Sequence, residues 1–464
     1  MSKPTPPGGT ESPTVQADVI PLKEATKAWF TISLQTFGGP AGQIAVMQRV
    51  LVEEKRWISQ RRFLFALSFC TLLPGPEAQQ LATYVGWLLN GVRGALIAGC
   101  LFVLPGFVAL LAFSALYATS ADTTLVQALF AGLGPAVIAI VLDAVVRVGK
   151  KAGLHHPALV AIAIGTFVAL SFFDAPFPLV IAIAALIGWL LGRRDPHLAA
   201  PPSTAADTGP VPLIADDQLH FDRPNTRRAI LTTAIGLGLW AAPVLLAAAL
   251  LGRAHVLVTE GVFFSGAAVV TFGGAYAVLT FVAQQAVTTY GWLAPGEMVR
   301  GLALAETTPG PLIMVVQFVA FLAAYRNPGT LNPWTAAILA SILTTWVTFV
   351  PSILFILVGA PYVERLRKNT SLSSALAGIT AAVVGVIANL ATFFALHTLF
   401  RSTARFDLGP ARIDYPVLNS MNGQAVTIAI LGAVLAFGLR WSVLRTLGVC
   451  AIAGVVLHLA MPTG

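Results

Sequence analysis

Residues 63–89 read FLFALSFCTLLPGPEAQQLATYVGWLL, and the reading of this stretch decides the fold. It is apolar nearly throughout, as a membrane helix would be, but Pro74-Gly75-Pro76 breaks it near the middle and leaves arms of 11 and 13 residues. At ~1.5 Å per residue each arm reaches roughly 16–20 Å, about half of a ~30 Å hydrocarbon layer. The flanking charges bear on what the break does. Arg49, Lys55, Arg56, Arg61 and Arg62 precede the stretch and Arg93 follows it. If both sets are cytoplasmic, as basic loops prefer, the chain enters and leaves by one face, and 63–89 is a re-entrant helical hairpin. A Pro-kinked full span is the alternative, at the expense of one cluster's preferred side.

The whole chain has the composition of such a setting. Only 10% of its 464 residues are charged, against roughly 25% in a soluble protein; 56% are hydrophobic and the mean hydropathy is +0.80. This predicts an all-α polytopic membrane protein. Apolar runs near 94–117, 123–147, 157–172, 176–192, 229–251, 333–360, 371–400, 424–440 and 442–460 predict nine crossings. Residues 1–22 read as a disordered cytoplasmic tail. Residues 193–228 carry 10 of the 48 charged residues and read as a hydrophilic cytoplasmic linker. The net charge of +8 is spread over short loops, which suits anionic lipid better than nucleic acid. Cys70, Cys100 and Cys450 stand alone in apolar runs, and His155-His156 reads as a loop pair. No metal, cofactor or redox motif is present, and no ATP-binding or covalent-catalysis motif, so the sequence does not read as an enzyme.

The broken stretch recurs. At an offset of 235, Thr36-Phe37-Gly38-Gly39 returns as Thr271-Phe272-Gly273-Gly274, Trp57 as Trp292, and Pro74-Gly75-Pro76 as Pro309-Gly310-Pro311. After an insertion around 326–334 the offset becomes 246, pairing Pro105 with Pro351, Ala131-Gly132 with Ala377-Gly378, and Asp143 with Asn389. The chain is thus two homologous halves, 23–192 and 229–464. Segment 49–62 holds five basic residues and its counterpart 284–297 none, whereas 115–124 holds none and 361–370 has Arg365, Arg367 and Lys368. Equivalent loops then face opposite sides, which predicts an inverted-topology repeat. By the same reasoning 23–48, bent at Gly38-Gly39-Pro40, and 258–284 and 298–325 are further hairpins.

Irregular backbone at membrane depth is tolerated where protein buries it or water lies beside it, so the breaks are the site candidates. Pro40, Pro76 and Pro311 suit the start of the next arm, leaving free N–H groups at Ala41–Gln43, Glu77–Gln79 and Leu312–Met314. Helix N-termini of this kind bind anions. The substrate would therefore lie between Gly38, Gly39 and Pro40, Pro74, Gly75 and Pro76, Gly273 and Gly274, and Pro309, Gly310 and Pro311, with Gln43, Gln79, Gln80 and Gln317 as neutral donors. With no obvious intramembrane Arg or Lys, backbone dipoles would hold most of the charge. Glu77 and Glu306 beside the breaks are candidates for proton coupling. Glu77 also suits a helix-dipole cap, and Asp143 either couples protons or pairs with Arg147 one turn on. Arg56 and Trp57 read as a cytoplasmic gate, Trp57 equally as an interface anchor.

Phe37-Gly38-Gly39-Pro40, Val52-Glu53-Glu54-Lys55-Arg56-Trp57, Leu72-Leu73-Pro74-Gly75-Pro76 and Gln80-Leu81-Ala82 resemble the signature of the chromate transporter family. Phe272-Gly273-Gly274 with Thr308-Pro309-Gly310-Pro311 resembles its second-half version, and the likeness runs from about 23 to 460, as in the two-domain long form. The resemblance implies a multi-pass inner-membrane antiporter that exports chromate at the expense of the proton gradient and confers chromate resistance. Its implied partners are chromate, protons and the lipid bilayer, with sulfate as the competing dianion and a homodimer left open. A sulfate or other oxyanion carrier and a passive anion channel are the alternatives. Two positions depart from the family pattern: Glu77 stands where small polar residues are usual, and Gln43 where a histidine is frequent.

Overall fold

The computed structural model describes residues 19–152, 154, 156–194, 211–214, 219, 225–272, 275–294, 296–362, 370–409 and 411–460. Gly273, Gly274, His155, Arg365, Arg367 and Lys368 lie outside these residues, as do most of the tail and linker. Sixteen α-helices are present among the described residues, and every one of the nine long apolar runs is helical. The first half holds α1 (Leu22–Ser33), α2 (Gly39–Gln48), α3 (Gln60–Cys70), α4 (Glu77–Ser120), α5 (Thr124–Lys151), α6 (Pro157–Phe173) and α7 (Phe177–Arg194). After α8 (Thr226–Leu251) the second half repeats the order with α9 (Val256–Val269), α10 (Ala275–Gln284), α11 (Glu297–Thr307), α12 (Val315–Arg326), α13 (Pro333–Gly359), α14 (Thr370–Leu399), α15 (Gly423–Ala433) and α16 (Val443–Ala460). Seven of the described helices are long and apolar enough to cross a membrane, and no residue of α8 is fully buried. The protein is a multi-pass membrane protein.

Although α4 is hydrogen-bonded over 44 residues, it is not one rod. Asn90 (φ −139°) and Gly91 (φ 57°, ψ −147°) leave the helical region, separating a first arm, 77–89, from a second, 92–120. A Cβ on Gly86 would strike the Gly94 carbonyl, and one on Gly99 would lie 2.7 Å from Thr83 Oγ1 and 3.2 Å from Gln79 Nε2. The arms therefore run antiparallel with their backbones in contact, which only small residues permit.

The ends of the short helices gather at two separate mouths. In the first half Lys55 Nζ lies 3.5 Å from Glu24, Asn90 Nδ2 donates to Ile20 O at 2.6 Å, and Val19 N–H donates to Leu89 O at 3.2 Å. The start of α1, the turn after α2 and the outer end of α4's first arm thus share one end of the molecule. In the second half His255 Nε2 lies 3.2 Å from Pro328 O, and Arg326 reaches both Glu297 and the carbonyl of Trp292. The second arm of α4 measures the separation, since it begins beside Asn90 and carries Tyr117, which donates to Glu297 at 3.0 Å. Those 27 residues of helix span roughly 40 Å. The outer ends of the two sets of short helices thus lie at opposite ends of one long helix.

Local devices repeat with the halves. Both α2 and α10 run into π-helical turns, Arg49–Glu54 and Gln285–Thr289. Each turn is closed by matched bonds: Trp57 N–H to Leu51 O and Trp292 N–H to Ala286 O, both 2.8 Å. Trp57 is buried, 5% exposed, with Lys55 over its ring, so it packs inside the first half instead of facing lipid. The same turn occurs a third time at Val434–Gly438, followed by Arg440 and Trp441.

The halves are interleaved. Helices α6 and α7 pack on α14, α15 and α16 pack on α5, and α5 and α14 pack on each other. Glycines make the close approaches: Gly188 abuts Gly378, and Gly454 abuts Gly132. Two features depart from the sequence reading. A β-hairpin, Thr403–Leu408 with Ala411–Pro416, interrupts the all-α pattern and carries the Arg405–Asp414 pair at 2.8 Å. Parts of the tail and linker are also ordered against the fold: Leu213 N–H donates to Arg56 O at 2.6 Å, and Leu219 is fully buried with Trp57's cluster. Their apolar side chains leave water for the same core that receives Ile20.

A Cβ at 378 would meet the Ala184 carbonyl and Gly188 Cα, the latter at 2.8 Å. Gly378→Ala is therefore expected to destabilise the fold by about 1–3 kcal/mol, read as a lower Tm in detergent. Gly165→Ala, which has nothing within 4 Å, should leave Tm nearly unchanged.

Candidate functional site

The two Pro-Gly-Pro breaks meet the opposite half inside the molecule. Gly75 N–H donates to Thr271 O at 2.7 Å, and Gly310 N–H donates to Thr36 O at 2.9 Å. Since Thr271 is the repeat partner of Thr36 and Gly310 of Gly75, these are one bond made twice. Gly75 (φ +124°) and Gly310 (φ +109°) hold backbone conformations that a side chain disfavours. A Cβ at 75 would also collide with Ser352 Oγ, and one at 310 would come within 3.2 Å of Gly106 Cα.

Around the Gly310 crossing, Gln43 Nε2 donates to Gly310 O. Tyr276 Oη donates to Glu306 Oε1 at 2.5 Å, and a Cβ built on Gly39 would lie 3.9 Å from Tyr276 Oη and 4.0 Å from Glu306 Oε2. Gln317 Nε2 donates to Phe107 O at 3.1 Å, next to the Gly106 contact with Pro309. Around the Gly75 crossing, Gln80 Nε2 donates to Pro74 O at 2.7 Å. Gln79 lies in the same first turn of α4, with Glu77, half-buried, at its head. The structure thus gathers Gly39, Gln43, Glu306, Pro309, Gly310 and Gln317 into one cluster and Pro74, Gly75, Pro76, Gln79 and Gln80 into a second. Arg56 and Trp57 belong to the distant first-half mouth.

The start of α4 is as expected, and the other two differ in detail. The first α4 amide to bond backwards is that of Gln80, to Pro76 O at 3.0 Å, so the amides of Glu77 to Gln79 point into the break. In the second half a 3₁₀ turn, Leu312–Met314, intervenes, and Met314 N–H is spent on Pro311 O at 2.9 Å. Helix α2 starts at Gly39 with Pro40 in its second position, so its free amides are those of Gly39 and Ala41 and not of Ala41 to Gln43.

Several buried polar atoms in these clusters have no hydrogen-bond partner: both side-chain atoms of Gln79, Oε1 of Gln80, Oε1 of Gln317 and Oε2 of Glu306. Gln79, Gln80 and Gln317 are fully buried and Glu306 is 1% exposed. Such groups cost about 1–3 kcal/mol each when left unmet, and a protein retains them where water or a ligand meets them in use. Arg147, in α5, pairs with Asp143 at 2.8 Å. Of the two readings of Asp143, the Arg147 pair is present.

Three groups escaped sequence reading. Tyr276, two residues past Gly274, gains its role only by folding back onto Glu306. The second mouth holds Glu297, gripped by Arg326 through two bonds of 2.7 Å, with Arg300 donating to Tyr117 at 2.9 Å. Glu260 in α9 is fully buried, and neither of its oxygens has a partner; the signal was a lone acid in an apolar helix.

Two repeated halves with crossed helix breaks around unmet polar groups define a transporter class. Residues 23–189 and 260–456 match the family described as chromate transporter, and the chain belongs to that family. It is 34% identical over 359 residues to a chromate transport protein of Pseudomonas aeruginosa, covering 76% of each chain. It is 28% identical over 388 residues to one of Cupriavidus metallidurans, covering 83% of this chain and 86% of that one. A probable chromate transport protein of Synechococcus elongatus is 28% identical over 371 residues, 79% of this chain and 83% of that one. No solved structure matches.

The repeat partner of Gln79 is Met314, so the fold accommodates an apolar side chain there. Gln79→Met should therefore leave Tm unchanged or raise it, by up to about 1–3 kcal/mol of relieved desolvation. A fall in Tm would mark Gln79 as structural. Gly310→Ala, which strains a crossed bond, should lower it.

Proposed function

We propose that this protein exports chromate across the bacterial inner membrane in exchange for protons and so confers chromate resistance. The observation that carries the reading is Gln79: fully buried, with its donor and its acceptor both unused, at a helix start whose own amides are free. An amide of this kind and two facing helix ends can hold a tetrahedral dianion without a fixed partner charge that would trap it. Membership of the chromate transporter family and the named relatives support chromate as that dianion.

The topology we propose is an inverted repeat of re-entrant hairpins, supported by the two mouths at opposite ends of α4's second arm. The basic loop 49–62 puts the first mouth, the N-terminus and the linker in the cytoplasm. Alternating access then follows from rocking of the halves about the crossed breaks. An inside-negative potential favours outward movement of a dianion by about 4.6 kcal/mol per 100 mV. Closing of the emptied centre over Glu306 favours a proton on it, since its Oε2 meets no partner and a buried carboxylate without a bonded cation is unfavourable by several kcal/mol. The return step therefore carries a proton inward.

In inverted vesicles, an acidic lumen should drive chromate uptake, sulfate should compete, and Glu306→Gln should abolish the dependence on the gradient. Wild-type flux that follows potential and ignores the pH step would indicate a passive channel, and uptake driven by an alkaline lumen would indicate cotransport. Full sulfate uptake unaffected by chromate would make this a sulfate carrier.

A further inference from the structure

Glu260 has no place in the anion site. It lies in the first turns of α9, 11 residues before Thr271, or roughly 16 Å of helix short of the crossed breaks. Its side chain is fully buried and neither oxygen has a hydrogen-bond partner among the described residues. Helix α9 packs on α8, α12 and α13, and its Phe263 and Phe264 also meet Phe281 of α10, Tyr290 and Trp292; the titratable residue of α10, Tyr276, is bonded to Glu306. Helix α13 contains no ionisable residue, and the charged residues of α8, Arg227 and Arg228, sit at its far end. From α12 come Tyr325 and Arg326, and Arg326 is committed to Glu297. His255, the N-cap of α9, accepts from Leu257 N–H at 3.3 Å and contacts Pro328 O. Arg253, in the turn before α9, is exposed, and among the described residues no cation bonds to Glu260.

The repeat supplies an internal control. The equivalent of Glu260 in α1 is Ala25, 2% exposed, so this helix packs into this fold without an acid at this position. A buried carboxyl that the architecture does not require, with no partner and no bonded cation, is stable only with its own proton attached. It gives up that proton when water reaches it, which requires the second-half mouth to open.

We propose that Glu260 is a proton-binding site of the second-half mouth: protonated when α9 packs as in this structure, and ionised when that mouth opens. Proton binding from that face then favours closure and adds a second proton site to the one at Glu306. The transport consequence rests on the proton-exchange reading above, whereas the protonation itself does not.

Two measurements on the full chain in proteoliposomes separate them. Infrared difference spectra between acidic and alkaline buffer should contain a carboxylic-acid carbonyl band that disappears in both Glu260→Gln and Glu260→Ala, the latter restoring the first-half residue. A band unchanged in both variants overturns the proposal. In transport, both variants should lose gradient-driven chromate uptake by about tenfold or more and flatten its pH profile, while chromate–chromate exchange at equal pH persists. Uptake and profile equal to wild type, or loss of exchange in variants that remain monodisperse, also overturns it. Wild-type uptake blind to the gradient, with the band lost in the variants, overturns the exchange reading and the transport role but leaves the proton site standing.

Discussion

Two backbone hydrogen bonds hold the centre of the protein: Gly75 to Thr271 and Gly310 to Thr36. A chain that stops being helical inside an apolar body frees N–H and C=O groups that must be met, and lipid offers nothing to meet them. Here each half leaves a donor at its Pro-Gly-Pro and an acceptor before its Gly-Gly, and the other half completes the pair. Neither half can satisfy its own break, so the site exists only where the halves meet. The same dependence runs outward, with α6 and α7 closing on α14 and α15 and α16 closing on α5. Rotation of one half against the other therefore pivots on the region where the substrate is proposed to sit.

On this two-fold frame the chemistry is one-sided. Gln79 corresponds to Met314, Gln43 to Val278, Glu306 to Thr71, Tyr276 to Ala41 and Glu260 to Ala25. Residues shared by the halves are those the backbone demands: glycines with left-handed φ, prolines at breaks, the tryptophan after the π-turn. Residues that differ are polar on one side and apolar or small on the other. Duplication thus separates structural from functional positions within a single chain, because each half shows what the fold tolerates in the other. The one-sidedness also suits the proposal of one anion site with separate proton sites near Glu260 and near Glu306.

Much of this was legible in the sequence because it rests on length and spacing. The nine apolar runs, the arms on either side of Pro74-Gly75-Pro76 and the repeat at an offset of 235 are one-dimensional facts, and the helices fall where they require. The corner at Asn90-Gly91 went unread, although an Asn-Gly pair marks a turn. What stayed hidden depends on distant parts of the chain folding together. Glu306 was visible, but the Tyr276 hydroxyl on it was not. The start of α4 fell where it was expected, but that of α2 was misplaced because proline is tolerated at more than one position of a first turn. The 3₁₀ turn after Pro311 has no sequence signal of its own. Glu260 was overlooked because an isolated acid looks incidental until its surroundings are known to be dry.

The central claim is positional: the dianion is held between the crossed breaks, with the Gln79 side chain as a ligand. The most direct measurement is an anomalous difference map at the chromium absorption edge, from crystals grown in a lipid mesophase with chromate. A chromium peak between the Gly75 and Gly310 crossings, its oxygens about 3 Å from Gln79 Nε2, is the expected result. A peak confined to the second mouth beside Arg300, with the breaks empty, would contradict it.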